Sequence, residues 1–352
     1  MLSNQIISWY LQNKRDLPWR ETKDPYQIWI SEIMLQQTRV ATAIDYFNRF
    51  LEQFPTIFDL AEAEEQEVLK LWQGLGYYSR ARNLHATAKI IQSEYKGVFP
   101  NSYNEILKLK GIGLYTAAAI ASFAFNLPHA AVDGNVYRVL SRVYGIDKAI
   151  DSTDGKKYFQ NIADETMGNA QPEIYNQAII EFGALQCLPR APKCDTCPLL
   201  SNCFAYNNGL IDQLPIKSKQ IKTKNRYFYY LFLSCKSRFL IEKRKKKDIW
   251  ENLFQYPLIE CDKPISMDKL LQTSEWKELF GKKEMLILSI SENVVHKLSH
   301  QNLHTAFIHI EMDIDNLNKS NDYKIITHSE IQKYPFPKLI EDHLNMIIEK
   351  FS

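Results

Sequence analysis

The sequence predicts a multidomain protein, with an all-α domain over residues 1–215, a linker at 216–226 and an α+β domain over 227–352. Three observations carry this division. Apolar residues recur at helical spacing, between short turns, from Asn4 to about Phe204. Four cysteines then crowd into the seventeen residues 187–203. After Leu214-Pro215 the period shifts towards strands: Tyr227–Leu233 is aromatic and aliphatic, Arg238–Glu242 is short and apolar, and Thr305–Met312 alternates. A last helix fits Lys338–Phe351.

A chain of 352 residues can bury two or three cores. Its formal charge of +2 says little about partners, so any nucleic-acid footprint must come from how the basic residues cluster. Six cysteines behind a start without a signal-like pattern point to a reducing compartment, and no run reaches transmembrane length. The expectation is a soluble, cytoplasmic protein without membrane contact.

Within the first domain, Asp24-Pro25 opens a helix through a capping side chain and a proline at the first helical position. The following run, Ile28 to Gln37, is apolar almost all round and reads as a buried helix. Glu32 is the anomaly in it. Its neighbours three and four positions away are Ile28, Trp29, Leu35 and Gln36, a setting that disfavours ionisation and suits a general acid. A carboxylate at the helix edge facing water is the competing reading. Gly74-Leu75-Gly76-Tyr77-Tyr78-Ser79-Arg80 is a glycine turn with two aromatics beside basic residues. It fits a wedge into a base stack, or a packed helix corner.

Tyr103 to Phe125 forms a hairpin of helices around Gly111-Ile112-Gly113. Two glycines around one apolar residue allow a sharp turn and leave amides free at the next helix start, a grip for phosphate. Asp133 heads the segment after Val132, with Val136, Val139, Leu140 and Val143 on one helical face and Arg138 and Arg142 on another; a simple helix cap is one reading of Asp133, compatible with a catalytic one. Two further helices fit Thr153 to Leu185.

Cys187, Cys194, Cys197 and Cys203 are separated by six, two and five residues. A zinc ribbon usually carries two Cys-x2-Cys pairs across a longer loop, whereas four thiolates on one compact loop suit a cubane iron-sulfur cluster. Cys235 and Cys261 are isolated and read as ordinary half-buried thiols. Ile216 to Arg226 reads as a polar linker and Lys243–Lys247 as a solvated basic turn.

Taken together, Ser31-Glu32-Ile33-Met34-Leu35-Gln36-Gln37-Thr38, the Gly-Leu-Gly-Tyr-Tyr turn, the Lys110-Gly111-Ile112-Gly113 hairpin, Val132-Asp133-Gly134-Asn135-Val136 and the four-cysteine loop resemble the helix-hairpin-helix-Gly/Pro-Asp DNA glycosylases. Within them the chain looks like the adenine DNA glycosylases of the MutY type. The match is dense over Leu17 to Cys203 and thinner beyond. Asn252-Leu253-Phe254-Gln255-Tyr256-Pro257 resembles the strand before a Nudix box, but the glutamate-rich metal helix that should follow is absent, which argues against nucleotide hydrolysis.

The resemblance implies removal of adenine mispaired with 8-oxoguanine or guanine. Glu32 would protonate the base and Asp133 would stabilise the cationic sugar, supported by Asn135 and Tyr115 through hydrogen bonds. Endonuclease III-like relatives place a nucleophilic lysine where this chain has Tyr115, so a monofunctional enzyme is implied. It further implies that Gln37, Tyr77 and Leu75 fill the space a flipped base leaves and that Trp19 and Arg20 line the base pocket. His296-Lys297-Leu298-Ser299-His300 matches the family's opposite-base loop, with Leu298 where a phenylalanine is usual. Ser299 and His300 keep their hydrogen-bonding groups; a loop of solvent-facing polar residues is the plainer reading. One [4Fe-4S] cluster, a monomer on double-stranded DNA, and a sliding clamp or mismatch-repair protein as candidate partner complete what the resemblance implies.

Overall fold

The computed structural model describes residues 2–218, 223–281, 283–315, 317 and 323–351. They form two compact units, Met1–Ala63 with Asn83–Gln220, and Glu64–Arg82 with Ile221–Ser352.

The first unit is helical. Helices α1 (Leu2–Asn13), α2 (Pro25–Leu35), α3 (Val40–Gln53) and α4 (Ile57–Glu62) come first. The Asp24 carboxylate accepts from the Tyr26 amide at 2.9 Å and Pro25 occupies the first position of α2, where no backbone donor is lost. Tyr26 and every residue from Ile28 to Met34 are buried. The helix ends at Leu35, before the expected Gln37, because Gln37 takes a left-handed φ of 57° that cannot continue it.

Helix α5 (Glu65–Leu71) falls in the second unit, and α6 (Ser79–Glu94) runs from it into the first. The hairpin follows as α7 (Tyr103–Lys108) and α8 (Leu114–Phe125). Its two glycines differ in what they do. Gly111 has φ of 80°, and a Cβ there would lie 2.7 Å from Asn83 Cβ. Gly113 has φ of −98° and open space around it, and no side chain caps α8, so the first-turn amides keep their donors for another acceptor. Gly111→Ala should therefore cost about 1–3 kcal/mol and Gly113→Ala should leave stability nearly unchanged. Chemical denaturation of the two variants checks this, and equal losses would contradict it.

Asp133 then caps α9 (Gly134–Tyr144), followed by α10 (Thr153–Met167), α11 (Pro172–Leu185) and the short α12 (Phe204–Asn207). Val136, Val139 and Leu140 of α9 meet Phe159 of α10 and Tyr175, Ile179 and Phe182 of α11 in one core. Gly183 permits that approach, since a Cβ on it would sit 2.6 Å from Asn135 Cβ.

In the second unit, β1 (Lys224–Cys235), β2 (Arg238–Lys243), β3 (Phe254–Gln255), β4 (Leu258–Cys261), β5 (Leu286–Ile290), β6 (Val294–Lys297), β7 (Gln301–Glu311) and β8 (Tyr323–Thr327) join in one sheet. Its spine is the parallel pair β1 and β7, in register from Lys224↔Gln301 to Ser234↔Glu311. Helices α13 (Met267–Leu270) and α14 (Ser274–Phe280) bring Leu270, Trp276 and Phe280 onto Leu231, Leu233, Ile308 and Ile310. Helix α15 (Lys338–Phe351) ends the unit.

Two expectations are corrected here. Lys224–Arg226 belong to β1 and not to the linker, of which residues 219–222 lie outside the described residues. Arg244, inside the basic run read as solvated, is buried, because its guanidinium is held by Asp248 at 2.8 Å. Cys235 and Cys261 are half-buried thiols, as expected. No helix among the described residues is long and apolar enough to cross a membrane.

Candidate active site

Glu32 lies on the third turn of α2, only 5% exposed, and its Oε2 is buried without a hydrogen-bond partner among the described residues. The water-facing reading of this residue is thereby removed. Burial pushes its carboxyl up to about 7; a hydrogen bond with Tyr115 opposes the rise, the nearby charge of Asp133 adds to it, and Arg20 lowers it. The phenol of Tyr115, on the first turn of α8, is raised well above its ordinary value by burial and by Glu32, so it stays a hydrogen-bond donor. Tyr115 shares a side-chain hydrogen bond with Glu32, and the Asp133 charge acts on it through space. A contact from Gln36 Nε2 to Thr116 Oγ1 at 3.3 Å also ties α2 to α8.

Asp133 receives three hydrogen bonds. Its Oδ1 accepts from the Asn135 and Val136 amides at 2.8 and 2.9 Å, and its Oδ2 accepts from Asn135 Nδ2 at 2.8 Å. Burial raises its pKa, and these donors, followed by Arg138, hold it down. Arg138 in turn donates to Asn135 Oδ1 at 2.8 Å, to the Gly183 carbonyl at 2.6 Å and to the Cys187 carbonyl at 2.7 Å. The capped carboxylate is thus linked to the start of the cysteine loop through two side chains of its own helix.

Arg142, one turn further on, donates to the carbonyls of Leu188 at 2.7 Å and Pro189 at 3.2 Å and sits 3.5 Å from Cys187 Sγ. Cys187, Cys194, Cys197 and Cys203, all free thiols, line one pocket with Arg142. Among the described residues no three His, Cys, Asp or Glu side chains converge in a metal-holding arrangement, although the four thiols line the same pocket.

Trp19 is buried edge-on against Phe47, with ring centroids 5.4 Å apart. Arg20 is held by Glu181, donating to both its oxygens at 3.1 and 2.9 Å. Arg15 makes a second fork on the same carboxylate at 2.8 and 2.6 Å. Glu181 is fully buried, and these arginines hold its pKa at about 2 against the desolvation that would raise it. Sequence reasoning passed over Arg15 and Glu181. A lone acid between Ile179, Ile180 and Phe182 is the same signal that marked Glu32.

In the second unit the glycine turn is built around Arg80, which donates to the carbonyls of Leu75 at 3.2 Å and Gly76 at 3.1 Å beneath the rings of Trp72 and Tyr77. Leu75 is buried; Tyr77 is left 43% exposed in a left-handed conformation. The Tyr77 hydroxyl hydrogen-bonds the Ser299 hydroxyl. Ser299 and His300 are exposed on the turn between β6 and β7, closed by the Leu298 amide on the Gln301 carbonyl at 2.8 Å. The structure therefore brings Glu32, Tyr115, Asp133 and Asn135 together in the first unit, and Tyr77 and Ser299 together in the second.

Residues 30–165 match the model of the HhH-GPD superfamily base excision DNA repair proteins, and residues 228–346 match the NUDIX domain. Among curated relatives, the adenine DNA glycosylase of Buchnera aphidicola subsp. Baizongia pistaciae is 41% identical over 306 residues, covering 85% of this chain and 83% of that one. That of Buchnera aphidicola subsp. Acyrthosiphon pisum is 34% identical and covers 92% and 91%. The human adenine DNA glycosylase is 44% identical over 218 residues, 59% of this chain and 40% of its own. Among solved structures, a thermostable thymine-DNA glycosylase superposes with a TM-score of 0.55 at 29% identity, covering 58% of this chain and 95% of its own. An endonuclease III in a non-covalent DNA complex shares the fold at a TM-score of 0.51 and 24% identity, covering 59% and 94%. With a helix-hairpin-helix domain and a Nudix-like domain in one chain, and with relatives of this identity along most of its length, the chain belongs to the adenine DNA glycosylase family of base excision repair hydrolases.

Proposed function

We propose that the protein hydrolyses the bond between deoxyribose and adenine mispaired with 8-oxoguanine or guanine in duplex DNA, leaving the strand uncut. One observation carries the reading: a buried carboxyl raised to about 7, with an unpartnered oxygen, beside a second, hydrogen-bonded carboxylate. Adenine is a poor leaving group as an anion, so its departure needs a proton, and the sugar left behind gathers positive charge. Glu32 supplies the proton, at N7 of the base, and afterwards can take one from the attacking water. Asp133 faces the cationic sugar, with Asn135 fixing the direction of its Oδ2. Tyr115 holds the Glu32 carboxyl by a hydrogen bond, and as a phenol it forms no imine, so no strand-cutting step arises at that position.

The base must leave the stack first, which costs a few kcal/mol. In the first unit Gln37, exposed and left-handed, is the residue for filling the vacated space, and Trp19 and Arg20 line the pocket for adenine. In the second unit Tyr77, also exposed and left-handed, is the residue for wedging the stack, with Leu75 in the same turn. The uncapped start of α8 after Gly111 and Gly113 grips backbone phosphate. Ser299 and His300 read the opposite base. Cys187, Cys194, Cys197 and Cys203 are the thiol set for one [4Fe-4S] cluster, which when bound ties the loop together; no step of base removal passes through it.

Duplexes holding adenine opposite 8-oxoguanine, opposite guanine or opposite thymine, or holding thymine glycol or a thymine-guanine mispair, decide the matter when strand breaks are compared with and without alkali. Breaks confined to adenine opposite 8-oxoguanine and guanine, and appearing only after alkali, are the expected result. Breaks without alkali, or at thymine glycol or the thymine-guanine mispair, would overturn it.

A further inference from the structure

The loop between β2 and β3 makes contacts in two directions. Its neck is closed by the Arg244 amide on the Leu253 carbonyl at 2.9 Å and the Asn252 amide on the Arg244 carbonyl at 2.8 Å. At its tip Trp250 and Asn252 have φ of 62° and 66°. A tryptophan in that region is strained, and it persists only where the surroundings over-determine it. Those surroundings are specific. The Trp250 ring lies 5.8 Å from the His296 ring, on the strand that runs into the Ser299 turn. Glu251 pairs with Arg82 at 2.8 Å, and its carbonyl accepts from the same guanidinium at 2.9 Å. Asn252 Nδ2 donates to Glu65 Oε1 at 2.6 Å. Arg82 and Glu65 flank the Tyr77 turn in sequence, five residues after it and twelve before it.

The base of the loop reaches the other foot of the Ser299 turn. Asp248 accepts from Arg244 at 2.8 Å and from Arg226 at 2.7 Å, and Arg226 also donates to Gln301 Oε1 at 2.9 Å. Tyr77, Arg82, Trp250, His296 and Ser299 share one cleft of about 600 Å³.

We propose that Trp250, Glu251 and Asn252 are positioning residues that set the Ser299 turn against the Tyr77 turn, and so determine how strongly the enzyme prefers adenine opposite 8-oxoguanine over adenine opposite guanine. The inference rests on the opposite-base role given to Ser299 above. The two opposite bases differ only at C8 and N7, so telling them apart rests on one or two hydrogen bonds, and a loosely held partner forfeits them. Trp250 supplies the packing behind His296 and Glu251 the tether to Arg82. Neither belongs to the unit that holds Glu32 and Asp133.

The test uses the full chain and measures single-turnover adenine excision opposite 8-oxoguanine and opposite guanine. Trp250→Leu and Glu251→Gln should each lower the ratio of the two rates about tenfold, mainly through the 8-oxoguanine rate. The guanine rate should stay within about twofold, as for a change remote from the chemistry. Ser299→Ala is measured alongside. A ratio unchanged by Ser299→Ala would mean that the opposite-base reading itself is wrong. A ratio lowered by Ser299→Ala but untouched by Glu251→Gln, or a parallel fall of both rates in the loop variants, would overturn the proposal and leave the loop a structural element. Should Trp250→Leu fail to fold, Glu251→Gln, which keeps the side-chain volume, decides alone.

Discussion

Glu32→Gln is expected to reduce adenine excision by about 10³-fold or more while leaving the protein as stable as before, or more so, at pH 8. The first half follows from chemistry, since an amide cannot give a proton to the base. The second follows from the shift in acidity. The carboxyl titrates near 7 in the folded chain against an ordinary value of 4.5, because burial disfavours its charged form. A folded pKa above the unfolded one means that the native state binds the proton more tightly, so the group's contribution to stability is greatest at low pH and falls as pH rises from 4.5 through 7. By pH 8 the buried charge costs on the order of 3 kcal/mol, which glutamine does not incur. Wild-type single-turnover rates should fall as pH rises through about 7, as the acid form is lost. Thermal melts across pH 5 to 8, run on both proteins, check the stability half. A variant less stable than wild type at pH 8, with a wild-type rate flat through pH 7, would show that Glu32 is not the buried acid.

How much of this was legible beforehand depended on how local the determinants were. The start of α2 could be read because Asp24 and Pro25 act within one turn, and Glu32 because its surroundings lie three and four residues away. Asp133 as a cap was legible for the same reason. Pairings between distant segments were not. Glu181 meets Arg15 and Arg20 across 166 and 161 residues, and no periodicity in α11 announces two arginines from before α2. The segment around α5 has an ordinary helical pattern, yet it packs into the second unit through contacts such as Gln73 Nε2 to Glu341 Oε1 at 2.7 Å. Arg244 sat in a basic run whose charge density implied solvent; its partner Asp248 is only four residues on, but the Phe228 ring, 5.7 Å from its guanidinium, comes from β1 and is out of reach of any local pattern. Tyr115 was identified by its place in the hairpin, but which carboxylate it serves depends on how α8 meets α2, and that distance is absent from any motif.

Asp133→Asn is expected to leave the fold nearly intact and to lower excision by about 10³-fold, which separates the two roles of this residue. As a helix cap, asparagine is the equal of aspartate, so the bonds from the Asn135 and Val136 amides at 2.8 and 2.9 Å can persist on its carbonyl oxygen. What it loses is charge at the start of α9, together with the acceptor for Asn135 Nδ2, and these cost about 1–2 kcal/mol. The burial that raises the pKa of Asp133 offsets part of that loss, because a neutral amide is not penalised for leaving water. Excision should respond quite differently. The cationic sugar needs a fixed negative charge, and an amide dipole in the same place supplies a small fraction of it. Asp133→Ala removes cap and charge together and should lose both stability and activity. If Asp133→Asn retained most of its rate while Asp133→Ala lost rate only in proportion to its stability, the carboxylate would be a cap and nothing more. The positive charge on the sugar would then have to be met by another group, and Glu32, ionised once it had given up its proton, stands closest to that role.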